Sequence, residues 1–187
     1  MKILSIGLFL FLQVVCLSVE EEKNDVGFQP VLRKTEEIQE SYKKLNELLK
    51  KVTAKSQLTL YVGLPHPMRA ASEYAVEKKT AKTTKRYGFL FYKEAKKIHK
   101  DDIVSLKKTV KHPQAFQKYT AAKGCGGFHP DFALVYTDGK ETVEIHLCFG
   151  CGEMKIFHGK TEVYCEMSQR GKNTFKFLLD QYTKTDL

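Results

Sequence analysis

The stretch FALVYTDGKETVEIHLCFGCGEMKIFHGKTEVYC, residues 132–165, decides the fold. It contains four short runs rich in β-branched and aromatic residues, at 132–136, 142–147, 154–157 and 162–165, separated by DGK, CFGCG and HGK. Glycines at these breaks supply the backbone conformations that tight hairpins require, so the runs read as an antiparallel meander. Downstream, residues 174–182 set Phe175, Leu178, Leu179 and Tyr182 on one helical face, which predicts a closing helix packed on the sheet.

Upstream, QLTLYV at 57–62 alternates and is stopped by Gly63, Pro65 and Pro67, a strand running into a loop. RYGFLFY at 86–92 reads as a second strand. Helices are expected at 69–81 and at 101–111, where His112 and Pro113 end the second. Ile38, Tyr42, Leu45, Leu48 and Leu49 recur at helical spacing through 35–52, with Thr35 as the start. The expectation is one α+β domain over 34–187, an antiparallel β meander packed with N-terminal, middle and C-terminal helices.

The chain opens with Lys2, an apolar run over 3–15, then Cys16, Leu17 and Ser18. One cation, a short apolar stretch and a small-residue exit describe a secretory signal peptide over 1–18. The run falls short of the roughly 20 residues a spanning helix needs, and Glu20, Glu21 and Glu22 follow it. Residues 19–33, with Gly27 and Pro30, read as a flexible lead-in. The protein is therefore expected to be secreted or periplasmic after cleavage, with no transmembrane helix in the mature chain. A lipid anchor on Cys16 is the minor alternative, because Val15 stands where such signals favour a small residue.

Cleavage would remove Cys16 and leave Cys125, Cys148, Cys151 and Cys165, an even number in a compartment that permits disulfides. Cys148 and Cys151 form a C-x-x-C turn between two strands, with Gly150 and Gly152 permitting tight backbone approach. Such a turn resembles half of a zinc knuckle, and Cys125 with His129, or Cys125 with Cys165, would complete it. The leading expectation is a non-enzymatic exported domain whose cysteine cluster is a structural disulfide, Cys125 with Cys148 or Cys151, or else a metal knuckle. The candidate metal set is Cys125, His129, Cys148 and Cys151, with zinc as the candidate cofactor. A redox pair is the further alternative. Thioredoxin-like motifs begin a helix that lowers the pKa of the first thiol, whereas GEMKIF after Cys151 is a strand pattern. Cys165 alternates in phase with Val163 and Met167 and is expected in the core.

Among the histidines, His66 lies in a loop, His158 opens a hairpin, and His146 shares a strand face with Glu144. A Cys–His nucleophilic pair at Cys148 lacks an identifiable orienting group. No phosphate-binding, serine-hydrolase, HExxH or dinucleotide motif is present.

The formal charge of +9 hides a cationic block: residues 78–123 hold fourteen Lys or Arg against Glu94, Asp101 and Asp102. An anionic envelope or polysaccharide surface is the partner this predicts. Nucleic acid is not expected, because the cations are mostly Lys and are not interleaved with stacking aromatics.

Four blocks taken together, Leu60 to His66 (LYVGLPH), Gly88 to Tyr92 (GFLFY), Cys125 to Ala133 (CGGFHPDFA) and Cys148 to Gly152 (CFGCG), resemble a family of exported bacterial proteins to which no activity is attached. The resemblance spans about residues 57–182 and implies kinship, not mechanism. It departs at Cys165, where an acidic residue would fit the pattern as readily. It also suggests where a site would lie: Cys125, His129, Asp131, Cys148 and Cys151 at one end of the sheet, capped by the loop 63–66. His66 and Asp131 are the candidate binding residues.

Overall fold

The computed structural model describes residues 34–120 and 127–183. Cys16, Cys125, the expected signal segment and the lead-in over 19–33 lie outside the described residues.

In chain order the elements are α1 (Thr35–Ser41), α2 (Leu45–Lys50), β1 (Gln57–Val62), α3 (Ala71–Thr80), β2 (Thr83–Arg86), β3 (Phe89–Tyr92), α4 (Lys100–Val110), β4 (Phe116–Gln117), β5 (Phe132–Asp138), β6 (Glu141–Cys148), β7 (Glu153–His158), β8 (Thr161–Met167) and α5 (Gln169–Leu179). Six strands form one antiparallel sheet in the order β1-β5-β6-β7-β8-β4, and β2 and β3 form a separate hairpin. The fold is α+β, with the meander β5 to β8 at its centre.

Strand alternation divides the sheet into two faces. Leu60, Leu134, Ile145, Ile156, Val163 and Cys165 point to one, where they pack with Leu45, Leu48, Leu106, Phe175 and Leu179 from the helices. The other face is also covered. Phe89 and Phe91 of the hairpin, Phe128, Tyr119 and Ile38 close over it. Every residue from Val143 to Cys148 is consequently buried, polar ones included.

Three details differ from the sequence reading. The helix expected over 35–52 is split by a 3-10 turn at Tyr42–Lys44, because Ile38 joins the second core while Leu45, Leu48 and Leu49 join the first. RYGFLFY is not one strand but a turn and its second arm: Tyr87 (φ 47°) and Gly88 (φ 88°) reverse the chain. Tyr87 is held in that unusual conformation with its ring stacked on Phe157 at 4.1 Å. The closing helix begins five residues early, at Gln169, because the Ser168 hydroxyl accepts from the Gly171 N–H and caps it.

Candidate functional site

The end of the sheet where β5 starts and β6 finishes gathers most of the candidate residues. Phe132 pairs with Leu147, so Asp131 and the C-x-x-C turn are neighbours by register. Asp131 donates its N–H to the Leu147 carbonyl (2.7 Å), and its Oδ2 accepts from the Phe149 N–H (2.6 Å). The Gly150 N–H also faces this carboxylate, yet burial raises the Asp131 pKa from its ordinary value. One acidic side chain thus holds the two residues between the cysteines.

Cys148 is on the last buried position of β6 and Cys151 is partly exposed. No disulfide joins any two of Cys148, Cys151 and Cys165. The Cys151 thiol donates to the Cys148 carbonyl (4.0 Å) and lies beside the Cys148 sulfur, which the backbone N–H groups of Cys151 and His129 also face. Against burial and the nearby Asp131 charge, these donors hold the Cys148 thiol below its ordinary pKa. Gly152 follows at φ +72°, where it closes the turn with its N–H on the Cys148 carbonyl (2.9 Å). Cys165, by contrast, is fully buried on the helix side of the sheet, and burial pushes its pKa up.

The loop after β1 lies over this end. Gly63 donates to the Asp131 carbonyl (2.8 Å), and a Cβ there would run into the Pro130 carbonyl, so only glycine allows the approach. His129 is buried and its Nε2 sits 2.7 Å from the Leu64 carbonyl; its ring meets His66 edge-on at 5.1 Å. His66 Nδ1 accepts from the Met68 and Arg69 N–H groups, which leaves Nε2 to carry the proton. Burial, with His129 and Arg69 nearby, lowers the His66 pKa. Leu64, His66, Glu73, Tyr92 and Asp131 line a cleft of about 300 Å³ here.

Metal chemistry was expected from Cys125, His129, Cys148 and Cys151. Among the described residues no group of three His, Cys, Asp or Glu side chains is gathered as a metal site requires, and Cys125 lies outside them. His129 spends its Nε2 on a backbone carbonyl.

A second polar cluster is buried under the β2–β3 hairpin: sequence reasoning set His146 and Glu144 on one strand face but did not join Arg86 to them. Arg86 reaches both oxygens of Glu144 (2.6 and 2.8 Å), and His146 Nε2 lies 3.2 Å from Glu144 Oε2. Burial pushes the Glu144 pKa up, but its bonds to His146 and Arg86 outweigh this and hold it low; burial holds His146 neutral. Phe89, Phe91 and Phe157 wall the His146 ring. Next to it, Lys155 lies among the rings of Phe89, Phe128 and Tyr164 at 5.0 to 5.6 Å, with Glu162 at 3.3 Å. These groups form a packed seam between the hairpin and the sheet. A groove of about 530 Å³ beside α2, lined by Tyr42, Leu49, Lys111 and Phe116, holds neither thiol nor histidine.

The lysines of the cationic block are spread over α3, the hairpin and α4, mostly exposed. Among the described residues no helix is long and apolar enough to cross a membrane. Comparison of the chain with family models, curated proteins and solved structures finds no match.

Proposed function

We propose that this is an exported thiol–disulfide redox protein whose working pair is Cys148 and Cys151. The supporting observation is the turn itself: it sets the partly exposed Cys151 thiol, which donates to the Cys148 carbonyl, beside the buried Cys148 sulfur and holds the Cys148 pKa down. A helix N-terminus is the usual way to stabilise a thiolate in such a motif, and the turn does the same with its own N–H groups. The apolar run over 3–15 supports export to a destination where such a pair cycles.

With an organic disulfide RSSR as the oxidant, the atoms balance. The pair shares one proton and one negative charge. As the Cys151 sulfur attacks one sulfur of RSSR, its proton moves to Cys148, the S–S bond breaks and RS⁻ leaves. Cys148 then attacks the Cys151 sulfur of the mixed disulfide, and its proton departs with the second thiol, RSH.

The reading is tested by following thiolate absorbance of the reduced protein against pH, with Cys148→Ser as the reference. A Cys148-dependent transition below the ordinary thiol value near 8.5 is expected. A transition at or above it would remove the reading's basis.

A further inference from the structure

Resting on the redox reading, we infer that the substrate of the Cys148–Cys151 pair is an anionic disulfide, such as a carboxylate-bearing small molecule or an acidic peptide segment. The turn is ringed by cations that come from distant parts of the chain. Arg69, exposed after the loop from β1, lies over Gly150: a Cβ built there would sit 3.2 Å from its Nη1. Lys172 of α5 approaches the other flank, its Nζ 3.9 Å from a Cβ at Gly152. Lys176, one helical turn further on, stands over the Phe149 ring at 6.0 Å.

Asp131 interacts electrostatically with Arg69, and Glu153, which follows the turn, is buried and accepts from the Tyr164 hydroxyl. Asp180 is paired with Lys176 at 2.8 Å, which leaves Arg69 and Lys172 as the principal pair. Among the described residues neither of those two forms an ion pair with a carboxylate. Asp131 is occupied by the backbone of the turn, and Glu73 lies on the wall of the neighbouring cleft. The glycines at 150 and 152 matter here: without side chains, they let the two cations approach the backbone of the turn on either side of Cys151. An incoming disulfide therefore meets positive charge on both sides of the partly exposed Cys151. The same charge favours the thiolate that leaves.

The test measures second-order oxidation rates of the reduced full chain with three small disulfides: dithiodiglycolate (anionic), bis(2-hydroxyethyl) disulfide (neutral) and cystamine (cationic). Each rate is divided by that of dithiothreitol with the same disulfide, which removes intrinsic electrophilicity. The normalised anion-to-cation ratio is expected to be about ten-fold or more at low ionic strength and to fall toward one at ~1 M salt. In the Arg69→Gln/Lys172→Gln variant it is expected to fall toward one without added salt. If all three disulfides react with a ratio near one, the anionic preference is overturned and the redox reading stands. If none reacts, both are overturned.

Discussion

The Asp131 carboxylate accepts the Phe149 N–H at 2.6 Å, so the residue just before β5 holds the turn that follows β6. Asp131→Ala leaves the Phe149 and Gly150 N–H groups without their acceptor, and denaturant unfolding should register a loss of about 1–3 kcal/mol. Asp131→Asn keeps an acceptor but removes the charge that raises Cys148. The Cys148 titration should then move still lower, whereas a purely structural role for Asp131 would leave it in place.

The Arg86–Glu144 pair pins the hairpin to the sheet, with Glu144 almost wholly buried and Arg86 mostly so. Removing one partner strands the other charge, so Arg86→Met should cost on the order of 3 kcal/mol. The double variant Arg86→Met/Glu144→Met should recover much of that loss. The guanidinium also depresses His146, so in Arg86→Met the His146 pKa, read by NMR, should rise.

His146 and His66 both have folded pKa values below the unfolded value near 6.5. The unfolded chain therefore binds protons first as pH falls, and their stabilising contribution, complete above about pH 6.5, is lost toward the folded values. Glu144, also held low, extends the loss into the carboxylate range. Unfolding midpoints measured between pH 7 and 5 should decline, and His146→Phe should flatten that decline. An equal slope in the variant would put the effect on other groups.

Gly63→Ala places a methyl group against the Pro130 carbonyl. The end of β1 must move away from Asp131, losing the Gly63 N–H bond to its carbonyl. A drop in thermal midpoint should accompany altered alkylation of Cys151, because the same segment carries Asp131 to the turn.

The meander was legible because its turns are written in glycine, and its register followed from the DGK hairpin. That register sets Asp131 beside Cys148. The second core was not legible: Glu144, His146 and Lys155 alternate with apolar residues, and nothing local shows that a hairpin some 60 residues earlier covers them. Tyr87 illustrates the same limit, since tyrosine is a poor positive-φ residue and only stacking on Phe157 explains its turn. Within the site, the C-x-x-C pair, Asp131, His129 and His66 stand out by residue type. Arg69 and Lys172 do not, because the sequence holds many cations and only the packing of α5 and the β1 loop selects these two.

The most direct test of the redox pair is an equilibrium titration. The purified protein is poised across graded ratios of reduced to oxidised dithiothreitol, quenched by alkylation and mapped by peptide mass. One reversible two-electron transition is predicted, with Cys148 and Cys151 linked to each other at the oxidising end, separately alkylated at the reducing end, and Cys165 in no disulfide. Finding Cys148 or Cys151 bound to Cys125 at every potential, or both thiols unlinked at every potential, would contradict it.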